Sequence, residues 1–248
     1  MAINIAIIGG TDSSGGAGLG ADQKTILDHA CSPHSVISAI TFQNSSKVRI
    51  HPLPRLGLKS QLDSISEHTL DAIKIGMLPD ESSVLEVLDF IEKFPNSKVI
   101  LDPVRFSSSG FELITTKAWT ALKERLLPNL DLITPNVEEA RLLVGTGINE
   151  RISSLDLAKK CLDLGAHAVL LKGGHDDDPK ICIDILAQQK EGPELFKYPR
   201  IHGGTEVRGT GCRLASAIAC LWAKTGELFP AVQGAGQYLQ NYIKESLS

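Results

Sequence analysis

The sequence predicts an α/β protein on a doubly wound, mostly parallel sheet with an antiparallel hairpin at one edge. Two observations carry this. Short apolar runs without strict alternation recur along the chain, as in strands covered on both faces, and stretches with helical spacing lie between them. The runs are Ile3 to Ile8, Val36 to Phe42, Ala72 to Ile75, Val99 to Leu101, Leu130 to Ile133 and Ala168 to Leu171. Helical spacing marks Ser82 to Phe94, Ala118 to Leu127 and Leu155 to Leu164. Ile181 to Ala187 and Glu194 to Tyr198, bridged by Gln-Gln-Lys-Glu-Gly-Pro, predict the edge hairpin. Gly203-Gly204 and two final helices follow.

The 248 residues suit one α/β domain, and no linker or internal repeat divides them, so residues 1–248 are expected to form a single domain. With 25 basic and 29 acidic residues, net charge −4 and no block of one sign, nucleic acid is not expected as the main partner. Hydrophobic residues at 42% and charged residues at 22% exclude a disordered chain. The five cysteines form no C-x-x-C pair and are odd in number, which fits a reducing, cytoplasmic setting. The N-terminal apolar run ends at Gly9 without a basic flank, so it reads as a strand rather than a signal peptide, and no membrane association is expected.

Ligands of open parallel sheets bind beyond the carboxyl ends of the strands, which directs attention to the loops after the apolar runs. The first such loop, Gly9 to Gly18, is rich in glycine and feeds a helix carrying Asp22. It holds no G-x-G-x-x-G register. Lys24-Thr25 is preceded by Gln23, so it is no Walker A loop either. Gly209-Thr210-Gly211-Cys212 opens an apolar helix, where unpaired N–H groups and the helix dipole make a site for a phosphoryl group. Cys212 has two readings: a thiol whose pKa the helix field lowers toward neutrality, suited to accept a proton, or a small apolar residue packed at a helix start.

Asp102, in Leu101-Asp-Pro-Val104, sits at a buried strand tip, where it either meets a cation such as Mg²⁺ or begins a turn before Pro103. Asn136 and Glu139 follow the next strand and read, by themselves, as a helix capping box. Lys172, before two glycines, is a point charge placed for phosphate. Along one sheet edge these segments gather what phosphoryl transfer without a P-loop needs.

Gly10-Thr-Asp-Ser-Ser-Gly-Gly-Ala-Gly18 with Asp22, Gln43-Asn44, Lys74-Ile-Gly-Met-Leu78, Leu101-Asp-Pro-Val104 with Ser109-Gly110, Thr134-Pro-Asn136 with Glu139, Leu171-Lys-Gly-Gly-His175 and Gly209-Thr-Gly-Cys212 stand in one order over nearly the whole chain. Together they resemble the bacterial hydroxymethylpyrimidine/phosphomethylpyrimidine kinases of thiamine biosynthesis, members of the ribokinase-like superfamily. The resemblance implies a three-layer α/β/α fold, a homodimer, and ATP-dependent phosphorylation of 4-amino-5-hydroxymethyl-2-methylpyrimidine, its monophosphate or both.

It also implies residue roles. Cys212 stands for the catalytic base, and the amides of Gly209, Thr210, Gly211 and Cys212 for an anion hole. Gly10, Asp22, Gln43, Met77 and Val104 surround the pyrimidine. Asn136, Glu139, Lys172 and Thr210 face ATP, and Asp102 and Glu139 attend Mg²⁺. A related acceptor, pyridoxal or pyridoxine, is the nearest alternative, and a catalytically silent pyrimidine- or nucleotide-binding protein is the other. Arg105 and Arg213 depart from the family's usual methionine and small hydroxyl residue. Either they point to solvent or cap the loop, or they favour an acceptor that already carries phosphate or shift specificity away from the family's alcohol.

Overall fold

The computed structural model describes residues 2–43, 48–107, 110–147, 150–173 and 179–248, and not the side chains of Gln43 and Val48. The strands are β1 Asn4–Asp12, β2 Ser32–Gln43, β3 Val48–Pro52, β4 Ala72–Ile75, β5 Lys98–Leu101, β6 Leu132–Ile133, β7 Ala168–Leu171, β8 Ile181–Gln188 and β9 Glu194–Pro199. They form a nine-stranded sheet in the order β3-β2-β1-β4-β5-β6-β7-β8-β9. The inner strands from β2 to β7 run parallel. The predicted hairpin β8–β9 is antiparallel to β7 at one edge. A second antiparallel strand, β3, flanks β2 at the other edge, where the sequence led us to expect none.

Alternate residues of the central strands serve two cores, as the pleat requires. Ile5 and Ile7 of β1 face a layer made by α1 (Gly18–Asp28), α7 (Thr210–Thr225) and α8 (Leu228–Leu247). Ala6 and Ile8 face the opposite layer, made by α2 (Arg55–Ile65), α3 (Glu81–Ile91), α4 (Thr116–Ala121), α5 (Val137–Val144) and α6 (Ser154–Leu162). Burial on both faces is why these strands read as unbroken apolar runs. The expected helix 118–127 is α4 continued by a π-turn segment Leu122–Leu126 and a 3₁₀ turn Leu127–Asn129. Among the described residues no helix is long and apolar enough to cross a membrane.

Local signals set the elements beside the sheet's carboxyl edge. At α5, Asn136 Oδ1 accepts from the Glu139 N–H at 2.8 Å and Glu139 Oε2 accepts from the Asn136 N–H at 2.9 Å, the capping box read from the sequence. At α7 the N-cap is Gly209, held at φ +73°, a conformation that a Cβ disfavours. A Cβ there would also overlap the carbonyl oxygen of Gly16, so the glycine-rich loop after β1 is seated against the start of α7.

Candidate active site

A cavity of about 640 Å³ opens along the carboxyl ends of β1, β4, β5, β6 and β7. Gly10, Asp22, Met77, Asp102, Val104, Asn136, Glu139, Lys172 and Gly209 to Cys212 all line it. Of the site residues read from the sequence, only the Gln43 side chain lies outside the described residues, as do Asn44, Ser109, Gly174 and His175 of the quoted motifs.

One end of the cavity is built from three strand tips and a helix start. The first intrahelical bond of α7 runs from the Arg213 N–H to the Gly209 carbonyl at 3.0 Å, so the N–H groups of Thr210, Gly211 and Cys212 precede the helix ladder. Opposite them, Lys172 Nζ lies 2.8 Å from Asp102 Oδ1 and 4.0 Å from Glu139 Oε2. A Cβ on Gly211 would stand 3.2 Å from Lys172 Nζ and 3.3 Å from Asp102 Oδ2. Glycine is therefore what lets the helix start face this ion pair at close range.

The charges are set by burial and by each other. Burial disfavours both Lys172 ionised and Asp102 ionised, but their mutual attraction wins: the ammonium is raised and the carboxyl lowered from their ordinary values. Glu139 is pushed up to about 7, because burial outweighs the pull of Lys172 and Asp102 adds repulsion.

Cys212 departs from the first of its two readings, the thiol lowered toward neutrality. Its thiol is raised, not lowered, to about 11: burial dominates, and the lowering effect of Lys74 recovers only part of it. The field of a helix terminus is worth a fraction of a kcal/mol to about 2 kcal/mol, less than the desolvation of a thiolate in this setting.

The other end of the cavity lies around Gly10, where a Cβ would stand 2.8 Å from Met77 Sδ. Here Lys74, not singled out by its chemistry in the sequence, is buried and ion-paired with Asp22 at 2.9 Å. Arg208, also unforeseen, lines the cavity and pairs with Asp12 at 3.2 Å. Asp12 in turn fixes the glycine-rich turn, accepting from the Ser14 N–H at 3.0 Å and the Ala17 N–H at 3.1 Å.

Arg105 and Arg213 do not line the cavity. Arg105 donates to Glu112 Oε1 at 2.9 Å, with its guanidinium 5.0 Å from the Trp119 ring centroid. Arg213 donates to the Ala21 carbonyl at 3.0 Å and lies 4.1 Å over the Tyr242 ring. Neither arginine is placed to contact an acceptor phosphate, and neither points to solvent: Arg213 is 4% exposed and the Arg105 side chain 16%, each held inside the protein against an aromatic ring. We expect Arg213→Thr to lower stability by about 1–3 kcal/mol, the cost of a lost buried hydrogen bond and stack, and to leave the preference between acceptors unchanged. Thermal melts with steady-state kinetics on both acceptors check this.

Comparisons with known proteins show the family. The phosphomethylpyrimidine kinase family matches residues 12–248. A hydroxymethylpyrimidine/phosphomethylpyrimidine kinase from Aquifex aeolicus is 37% identical over 96% of this chain and 93% of its own. A thiamine biosynthetic bifunctional enzyme of Arabidopsis thaliana is also 37% identical over 98% of this chain, which spans only 47% of that protein's length. Among solved structures, a phosphomethylpyrimidine kinase from Clostridium difficile superposes with TM-score 0.81 at 33% identity, covering 99% of this chain and all of that one. A Staphylococcus aureus pyridoxal kinase in complex with AMP-PCP and pyridoxal superposes with TM-score 0.86 at 26% identity, covering 98% and 89%. With a ribokinase-like sheet whose strand tips carry the family's motifs, the chain belongs to the phosphomethylpyrimidine kinases.

Proposed function

We propose that this protein transfers the terminal phosphoryl group of ATP, with Mg²⁺, to 4-amino-5-hydroxymethyl-2-methylpyrimidine, to its monophosphate, or to both. The observation that carries the reading is the Lys172–Asp102 pair facing Gly211 across a cavity that also holds Asp22 and Met77. The AMP-PCP complex of the pyridoxal kinase supports ATP as donor. The full-length pyrimidine-kinase relatives favour the pyrimidine over pyridoxal as acceptor.

The residues fit a hard cation in part. Asp102 and Glu139 bring buried carboxylate oxygens to the cavity, and among the described residues no third His, Cys, Asp or Glu joins them. Such a donor set suits Mg²⁺ held by one or two carboxylates together with phosphate oxygens and water. When bound, the ion neutralises charge on the phosphates.

In the proposed mechanism Lys172 balances charge on the donor phosphates and the amides of Thr210 to Cys212 stabilise the moving PO₃ group. The acceptor oxygen forms its bond to phosphorus as the bond to ADP breaks, and the hydroxyl proton passes to the Cys212 sulfur. That last step requires thiolate. With the thiol at about 11, the thiolate fraction grows about tenfold per pH unit through the neutral range.

The rate on the alcohol is therefore expected to climb with pH between about 7 and 9.5, while the monophosphate, already without its proton, shows no such slope. Cys212→Ala removes the slope and spares the second acceptor. Product assays over pH with ATP and each acceptor, pyridoxal included, test the reading. A flat alcohol profile contradicts the role of Cys212, and transfer to pyridoxal alone contradicts the acceptor assignment.

A homodimer belongs to this proposal, with exposed Ile40 and Phe42 of β2 as an apolar surface for it. So does a cytoplasmic setting, which the five unpaired cysteines favour.

A further inference from the structure

Every residue of β4 is buried, and one of them is a lysine. Lys74 is 1% exposed and is the only buried lysine among the described residues. An apolar side chain would suit the strand better, since an ammonium loses its hydration on burial before any pairing. Asp22 on α1 supplies the pairing, and its other oxygen accepts from Ser216 at 2.8 Å. The carboxylate is thus held from both sides.

The ammonium is not equally committed. It has three N–H bonds, and Asp22 takes one; the described residues give it no other hydrogen-bond partner. It lines the cavity, and a Cβ on Gly76 would stand 3.1 Å from Nζ, so the charge lies under the Gly76–Met77 turn at the Gly10 end of the cavity. Of the other cations lining the cavity, Lys172 is engaged with Asp102 and Glu139, Arg208 with Asp12 and Ser14, and Arg200 is not free either. Arg105 and Arg213 turn away.

We infer that Lys74 is a specificity-determining residue for the phosphorylated acceptor, its two uncommitted N–H bonds receiving the phosphate oxygens of the pyrimidine monophosphate. The inference rests on the pyrimidine-kinase reading above. The Asp22–Lys74 pair is neutral as a unit, so an uncharged alcohol meets no uncompensated charge. A monoester, carrying about −1.5 to −2 at neutral pH, is repelled by Asp22 and Asp102 unless an ammonium stands among them.

The test compares Asp22→Asn with the paired variant Lys74→Met/Asp22→Asn, which removes both charges and so avoids an unpaired buried ion. Calorimetry without ATP measures binding of the alcohol and of the monophosphate to each, after melts confirm folding. Between the two variants the monophosphate is expected to weaken at least about tenfold, the scale of charge-assisted hydrogen bonds, and the alcohol by less than about threefold. Equal weakening of both ligands, or greater weakening of the alcohol, overturns the assignment. Lys74→Gln/Asp22→Asn serves if the methionine variant does not fold. A wild-type protein that phosphorylates neither pyrimidine overturns the proposed function itself. One that phosphorylates both, while the paired variant keeps its grip on the monophosphate, overturns only the role of Lys74.

Discussion

Gly209→Ala is expected to cut phosphoryl transfer at least about a hundredfold, the scale of losing one well-aimed amide donor, while the sheet stays folded. Gly209 holds φ +73°, and a Cβ there would overlap the Gly16 carbonyl oxygen. A left-handed L-residue costs about 1–2 kcal/mol by itself. The overlap is with backbone, so either the turn after β1 or the start of α7 must shift, and the amides of Thr210 to Cys212 shift with it. Gly226 provides the control at the other end of the same helix: its φ is +74°, but nothing lies within 4 Å of an added Cβ. Gly226→Ala therefore loses the backbone term alone, and its kcat is expected to match the parent. Steady-state kinetics and melts on the two variants separate a displaced anion site from a generally weakened helix.

The second large effect is expected at Lys172. Lys172→Met leaves Asp102, 2% exposed, and Glu139, 7% exposed, without their nearest counter-charge. Removing one partner of a buried pair costs about 3–5 kcal/mol. The low end applies here because the Lys172 side chain retains 15% exposure and Lys74 still acts on Asp102.

The pH dependence has a fixed sign. The Asp102 carboxyl is lowered in the folded protein, so its contribution is present above the ordinary carboxylate pKa and is lost as pH falls through the folded value. The gap between parent and variant should then be full at pH 7.5 and close progressively in acid. Denaturant titrations at several pH values check this, and a gap that widens in acid contradicts the electrostatic account. Asp102→Asn in the same background is expected to return much of the lost stability.

The parallel core was legible because burial on both faces removes polar residues from the middle of strands such as β1 and β7, leaving Ile-Ala-Ile-Ile and Ala-Val-Leu-Leu. Strand β3, Val-Arg-Ile-His-Pro, was not legible: an edge strand buries too little to show an apolar pattern. The glycines and the Asp102, Glu139 and Lys172 charges could be placed on one edge because strand tips of a parallel sheet share it.

Pairings across long separations were invisible. Lys74 meets Asp22 over 52 residues and Arg208 meets Asp12 over 196, and nothing local to either announces its partner. A signal did exist in Lys74, since an ionisable residue inside an apolar run demands a counter-charge. The directions of Arg105 and Arg213 depend on Trp119 and Tyr242, which only tertiary packing brings near. The Cys212 thiol was misread because the helix field is a sequence-local effect, whereas the burial that outweighs it is not.

The most direct measurement is a crystal structure with a non-hydrolysable ATP analogue, Mg²⁺ and the pyrimidine alcohol together. The terminal phosphate is expected about 3 Å from the amides at the start of α7, with Lys172 against its oxygens and the alcohol between Met77 and Cys212. A terminal phosphate bound away from those amides, or a pyrimidine seated outside the Gly10–Met77 end of the cavity, would contradict it.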